Sequence, residues 1–276
     1  MRNRLTITLK SSILDKLDSI IDGVKIRNRS HAIEYLLNKA FYSDQITAVI
    51  LAGGEGERMR PLTYELPKSM LPVKKRPLMA YLVSLLKNAN IKELLVCTNK
   101  QAEAIREYFG NGSRFGVNVT YVFEKQNLGT GGALLKARHQ IKSSPFLVLH
   151  SDLYTEIDLR ELISFHQQAG AMVTIGLKPV GQTRQFGQIA LKGSTVTHFF
   201  QNPQSGKSNL INSGIYVCNQ EVFNYFPPKK EPFDFDDVLV ALVKQKQVNG
   251  YVFDSLWYDV GTPADYEKVI KIARGS

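Results

Sequence analysis

Polar and apolar residues alternate strictly at the start of the chain. Leu5, Ile7 and Leu9 share one side and Arg4, Thr6 and Thr8 the other, which predicts a half-buried strand. The period then lengthens. Ile13, Leu17, Ile20 and Ile21 recur at helical spacing behind Ser11 and Ser12, either of which suits a helix cap. Asp22-Gly23 interrupts that helix. Ser30 is placed to cap a second one, to which Ile33, Leu36, Leu37 and Ala40 give a single apolar face. From residue 46 onward, apolar runs at 46–51, 93–98, 118–123, 146–150 and 172–177 alternate with helical patterns at 77–88, 101–109, 131–140 and 158–168. Such alternation predicts a mostly parallel sheet covered on both faces. After Gly187 come shorter strands (188–192, 195–200, 213–218), a helix at 235–246, a strand at 249–253 and a last helix at 263–273.

The pattern divides the chain into a small unit, 1–42, and a large one, 46–276, which suits a length of 276 residues. One strand and two short helices bury too little surface to stand alone, and a lone strand needs a partner. Both difficulties vanish if two copies pair, so a homodimer held by residues 1–42 is expected. No apolar run approaches the ~18 residues that span a bilayer, and no signal-peptide block opens the chain. Cys97 and Cys218 both lie in apolar runs and read as buried free thiols of a cytoplasmic protein. The net charge of +10 favours phosphate-bearing partners without choosing among nucleic acid, nucleotide and sugar phosphate.

An alternating strand, a helix, a Gly-containing turn and a basic R-x-R-S helix start (27–30) together resemble the ribbon-helix-helix family of dimeric DNA-binding modules. That resemblance implies an intermolecular ribbon in the major groove of duplex DNA. Arg4, Thr6 and Thr8 would face base edges, with Arg2 near the phosphates and the N–H groups at Ser30 taking a phosphate. The basic signal is mild: the first 44 residues hold eight Lys/Arg against five Asp/Glu. Dimerisation without DNA binding stands as the other reading.

The richest segment is ILAGGEGERMRPLTYELPKSMLPV (50–73). Directly after the strand ending in Leu51 and Ala52, Gly53, Gly54 and Gly56 let backbone N–H groups approach a polyphosphate closely. Arg58, Arg60 and Lys68 follow with cations. No G-K-[ST] makes it a P-loop, and Met59 stands where a dinucleotide fingerprint has its third glycine.

G-G-x-G-x-R-x-x-P-L-T followed by P-K resembles the signature of sugar-1-phosphate nucleotidylyltransferases. The similarity continues through EKQNLGTGGALLKA (124–137), HSDLYTEID (150–158), NSGIYV (212–217) and WYDVGTPADY (257–266). It implies a three-layer α/β/α, Rossmann-like fold with a mixed, mostly parallel sheet. It also implies a reaction that joins an NTP and a sugar-1-phosphate into an NDP-sugar and pyrophosphate. The nucleophile, a phosphate oxygen, is already anionic, so the protein has to position anions and spread charge rather than supply a base. On this resemblance the turn at 53–56 wraps the triphosphate, Arg58 grips the phosphates, and Lys68 bridges the two phosphates that react. Asp152 and Asp259 hold Mg²⁺, while Glu124 and Gly129 read the base. Gly187, Asn212, Ser213 and Gly214 contact the sugar.

There are departures. His150-Ser151 stands where the family has Asn-Gly before the metal aspartate; His150 suits either a phosphate or metal contact or a packed strand end. Gln201-Asn202-Pro203 replaces Glu-Lys-Pro and so removes a phosphate cation, a loss that Arg184 or Lys207 could cover. GERMRPLT is similar to uridylyltransferases acting on N-acetylmuramate-1-phosphate. LGTGGAL, LINSGIYV, FDFDD and GTPADY are more like mannose- or heptose-1-phosphate guanylyltransferases. The base is therefore open. A transcription factor that uses this domain only to sense nucleotides is the rival expectation, against which the retention of Arg58, Lys68, Asp152 and Asp259 argues.

Overall fold

The structure is a computed structural model that describes residues 6–24, 26–41, 46–99, 102–181, 187–201, 208–227 and 232–275. The chain separates into two compact units, Met1–Asp44 and Gln45–Ser276.

The first unit holds α1 (Ser11–Ser19) and α2 (Arg29–Phe41). The Arg29 guanidinium donates to both carboxylate oxygens of Asp18, at 2.7 and 2.6 Å, tying the end of α1 to the start of α2. Asp22 caps the turn by accepting from the N–H groups of Val24 and Ile26. Two expectations change here. Asn28, rather than Ser30, caps α2: its side-chain oxygen accepts from the His31 N–H at 2.9 Å, which leaves Ser30 inside the helix. Thr6 to Lys10 form no strand, since a single copy offers no partner for their backbone groups. Thr6 and Thr8 are exposed, and Arg2 and Arg4 lie outside the described residues.

The second unit is built on one sheet. Its elements are β1 (Thr47–Ala52), β2 (Pro72–Val73), β3 (Arg76–Pro77), α3 (Leu78–Asn88), β4 (Glu93–Thr98), α4 (Ala102–Phe109), β5 (Asn118–Phe123), α5 (Gly129–Ala137), β6 (Phe146–His150), β7 (Leu153–Thr155), α6 (Leu159–Ala169), β8 (Val173–Pro179), β9 (Gln188–Lys192), β10 (Thr195–Phe200), β11 (Leu210–Cys218), α7 (Phe235–Lys244), β12 (Val248–Val252), β13 (Trp257–Asp259) and α8 (Pro263–Gly275). The strand order is β5-β4-β1-β6-β11-β8-β12-β10-β9. The sheet is mixed rather than mostly parallel. Strands β5, β4, β1 and β6 run parallel, whereas β11 pairs antiparallel with both β6 and β8. The β9–β10 hairpin turns at Gly193, which has a φ of +61°, and so adds further antiparallel pairing.

Alternation along the strands feeds two cores. Ala48, Ile50, Leu94, Val96, Leu147 and Leu149 join α3 and α6 on one face. Val49, Leu51, Cys97, Phe146, Val148 and Tyr216 join α5 and α7 on the other. Both cysteines are buried and free, as expected. Two small sheets extend the scaffold. Of these, β7–β13 matters most, because its register sets Asp259 opposite Leu153, next to Asp152. Among the described residues no helix is long and apolar enough to cross a membrane.

Candidate active site

The parallel strands β1 and β6 end side by side, with Leu51 opposite His150. Ligands gather at such carboxyl ends in open α/β sheets. Here a cleft of about 260 Å³ opens, lined among others by Leu51, Ala52, Gly53, Gly54 and Gly56 after β1, by Lys68, and by His150 and Asp152 after β6. Glu124 and Gly129 line it as well. One cleft therefore gathers the glycine turn, Lys68, Asp152, Glu124 and Gly129, whereas Arg58, Asp259 and the expected sugar residues Gly187, Asn212, Ser213 and Gly214 are not part of its lining.

The glycine turn is held from three directions. Asn99 donates to the Gly53 carbonyl at 2.6 Å, and the Thr63 hydroxyl donates to the Gly56 carbonyl at 2.7 Å. Behind Gly53 stands Glu124: a Cβ added at Gly53 would lie 2.8 Å from Glu124 Oε1. The Glu124 side chain is buried, and Oε1 has no hydrogen-bond partner among the described residues. Burial pushes its carboxyl above the usual range, with the Leu128 N–H and Lys136 pulling the other way. Gly129 takes a φ of +71°, and any side chain there would collide with the Phe233 carbonyl. Its N–H is engaged by the Asn127 side chain at 3.0 Å.

The charged centre is compact. Lys68 forms an ion pair with Asp152, both side chains being largely buried at 18% and 15% exposure. Burial alone would raise the Asp152 carboxyl, but Lys68 and His150 carry it below the ordinary value. Oδ1 of Asp152 is buried without a hydrogen-bond partner. Asp259 moves the other way, pushed up to about 7 by burial and by the Asp152 charge, with Lys68 and Arg58 opposing. Arg58 stands beside Asp259: a Cβ added at Gly261 would lie 3.5 Å from both Arg58 Nη2 and Asp259 Oδ2. Lys68 and Asp152 thus meet directly, and Arg58 and Asp259 both flank Gly261.

A buried carboxylate oxygen without a donor, beside a second carboxyl whose ionisation is opposed by burial and by that neighbour, is an arrangement that a divalent cation would relieve. Among the described residues no group of three or more His, Cys, Asp and Glu could hold a metal ion. The remaining ligands would have to come from substrate or water.

The expected sugar residues cluster at a bulge in β11, where Gly214 has a φ of +73°. Asn212 N–H donates to the Gly187 carbonyl at 3.0 Å, and Gly214 N–H donates to the Asn212 side chain at 3.1 Å. The Ser213 side chain points away, against the position of a Gly176 Cβ. Trp257 is packed, its Nε1 donating to the Ser213 carbonyl at 3.0 Å. Arg184, Phe186, Asn202, Pro203 and Lys207 lie outside the described residues.

The start of α7 was not singled out residue by residue from the sequence. Asp234 lines the cleft and accepts from the N–H and the hydroxyl of Thr130, each at 3.0 Å. Asp236 accepts from Asn212 at 3.2 Å, and Asp237 accepts from Gln201 at 3.0 Å. Burial and the two neighbouring aspartates push Asp236 up to about 7. Three aspartates within the four residues 234–237 were the available signal. Their separate partners appear only when 130, 201 and 212 are brought together.

Comparison with known proteins gives the family of the second unit. A family described as Nucleotidyl transferase matches residues 47–274. The chain is 33% identical over 225 residues to a mannose-1-phosphate guanylyltransferase of Mycobacterium tuberculosis, covering 80% of this chain and 63% of that protein. It is 32% identical to a D-glycero-alpha-D-manno-heptose 1-phosphate guanylyltransferase of Aneurinibacillus thermoaerophilus, covering 81% of this chain and 96% of that one. The chain thus spans under two thirds of the mycobacterial relative and nearly all of the other. Among solved structures, a Bacillus anthracis protein described as a candidate glucose-1-phosphate thymidylyltransferase superposes with a TM-score of 0.78 at 24% identity, over 84% of this chain and 96% of that one. The likeness to it is one of fold.

Proposed function

This chain belongs to the nucleotidyl transferase family, and from that premise we propose that residues 46–276 transfer a guanylyl group from GTP to a sugar-1-phosphate, releasing pyrophosphate. The substrate sugar is a mannose- or heptose-type 1-phosphate, by analogy with the relatives named above.

Glu124 carries the choice of base. A carboxylate is an acceptor on both oxygens. Guanine presents two adjacent donors, N1–H and the 2-amino group, which suit a buried carboxylate whose Oε1 has no donor. Uracil and thymine offer one N–H between two carbonyl oxygens, which would face the carboxylate with like charge.

In the reaction an oxygen of the sugar phosphate forms a bond to the α-phosphorus as the bond to the pyrophosphate oxygen breaks. Lys68 offers an ammonium to the two phosphates that approach each other, and Arg58 offers a guanidinium to the departing pyrophosphate. The backbone at Gly53, Gly54 and Gly56 wraps the triphosphate. Asp152 and Asp259 fit a Mg²⁺ ion, which when bound neutralises phosphate charge. Gly187, Asn212 and Gly214 shape the sugar end.

The small unit serves as a dimerisation module of ribbon-helix-helix type, through which the chain binds duplex DNA. In support, Leu17 and Ala32 are the buried hydrophobic residues described there, while Ile7, Ile13, Val24, Leu36 and Leu37 are exposed. A unit with so little core gains one by pairing with a second copy.

A matrix of four NTPs against a panel of sugar-1-phosphates, with Mg²⁺ and pyrophosphate release as readout, tests the enzyme. GTP should be preferred, and Glu124→Gln should narrow that preference. No turnover with any pair would favour a nucleotide-sensing regulator instead. For DNA, affinity should fall steeply with salt. Binding that is absent, or unchanged by Arg4→Ala, would leave dimerisation as the unit's role.

A further inference from the structure

His150 has no part in the chemistry described so far, yet it stands at the border between two subsites. On one side its backbone is in register with Leu51, the residue that leads into the glycine turn. On the other its ring packs on the β11 bulge: a Cβ added at Gly214 would lie 3.1 Å from His150 Cγ and 3.2 Å from Nδ1. The Tyr216 ring lies 6.1 Å away, centroid to centroid. The imidazole lines the cleft together with Lys68, Asp152 and Asp234. Among the described residues no side chain or backbone group hydrogen-bonds to either ring nitrogen, although the charges of Asp152, Lys68 and Asp234 lie near the ring. A polar ring in the wall of a cleft, without a protein partner, is expected to find one in the ligand. In either charge state an imidazole offers at least one N–H donor.

We infer that His150 donates a hydrogen bond to the sugar of the sugar-1-phosphate, at the hydroxyl on the carbon next to the phosphate-bearing one, and so selects the sugar; the inference rests on the transferase reading above. Position decides which hydroxyl. His150 is two residues from Asp152, which is paired with Lys68 where the phosphates meet. A sugar whose phosphate sits there and whose ring extends toward the Asn212 to Gly214 bulge carries its first hydroxyl past the His150 ring. Gly214 contributes by having no side chain to fill that path.

The test compares wild type, His150→Phe and His150→Asn in steady-state turnover of GTP with mannose-1-phosphate and with its 2-deoxy analogue. Phe keeps a ring against Gly214 and Tyr216 without an N–H donor; Asn keeps a donor. Wild type should show a KM for the deoxy compound roughly tenfold above that for mannose-1-phosphate. His150→Phe should raise the KM for mannose-1-phosphate by a similar factor and leave the KM for the deoxy compound and for GTP where they were. His150→Asn should recover part of the loss. Equal KM increases for both sugars, an increase confined to GTP, or no change at all would each overturn the inference while leaving the transferase reading intact. Failure of wild type to turn over any sugar-1-phosphate would remove the transferase reading, and this inference with it.

Discussion

Lys68→Met tests the charged centre because its consequences differ in size with pH and with metal. In the wild type the Lys68–Asp152 pair is largely buried. At an effective dielectric of 20, unit charges 4 Å apart attract by about 4 kcal/mol, and the partial exposure of both side chains reduces the net loss to about 2–3 kcal/mol. Without the ammonium, Asp152 faces Asp259 with Arg58 as the remaining cation acting on Asp259. The Asp152 carboxyl lies below its ordinary value in the folded protein, so its contribution to stability is present above pH 3.8 and lost as pH falls. Asp259, pushed up to about 7, contributes stability below pH 3.8 that is lost as pH rises through 7. Removing Lys68 deletes the first contribution and worsens the second. The variant's deficit should therefore be largest near pH 8, smaller near pH 4 and lost only as pH falls well below 3.8. For a unit of this size 2–3 kcal/mol corresponds to a fall in Tm of about 5–10 °C. Thermal unfolding at pH 4.5 and pH 8, with and without Mg²⁺, measures this, and Mg²⁺ should restore most of the loss at pH 8. Turnover should fall on the order of 10²–10³-fold, the scale of losing one donor to developing charge. Equal Tm values for variant and wild type at pH 8, or a deficit indifferent to Mg²⁺, would refute the arrangement of two carboxyls around one cation.

Other outcomes follow from the same geometry. Gly53→Ala places a methyl against Glu124 Oε1 and should raise the KM for GTP about tenfold and blunt base preference, with a Tm close to wild type. Asp236→Asn should gain stability relative to wild type as pH rises from about 4 to about 7, by at most about 4 kcal/mol, because burial and its neighbours resist its ionisation there; differential scanning calorimetry across that range reads the trend. Mg²⁺ affinity should weaken as pH falls below 7, since Asp259 must release a proton to bind the ion; titration calorimetry in buffers of different ionisation enthalpy detects the proton, and a pH-independent affinity would argue against Asp259 as a ligand. Deleting residues 1–42 should leave an active, smaller species by size-exclusion chromatography and pyrophosphate release, because the family match begins at residue 47.

Legibility from sequence followed the range over which each interaction acts. Strands β1, β4 and β6 coincide with their apolar runs to within a residue, because strands buried on both faces by helices carry an unbroken apolar signal, and the partly exposed edge strand β5 coincides with its own. The direction of β11 was not legible. It depends on which neighbours a strand inserts between, and the run LINSGIYVC has the same composition in either orientation. The cap at Asn28 was missed for a local reason: Asn, Arg and Ser in a row all precede α2, and only the backbone geometry chooses the oxygen that reaches the His31 N–H.

The same distinction explains the site. Glycine turn, Arg58 and Lys68 fall within sixteen residues, so their common purpose is written in one segment. What the sequence could not show is why such a segment needs Asp152 and Asp259, more than eighty residues further on. The β7–β13 pairing answers that, bringing the Trp257 to Asp259 strand back against the residues that follow Asp152. The pairing has an electrostatic cost, visible in the opposite displacements of the two carboxyls. A fold selected for stability alone would replace one of them with an uncharged residue. Retaining both, with one oxygen of Asp152 left without a donor, makes sense if a cation and phosphate oxygens complete the arrangement during the work of the protein.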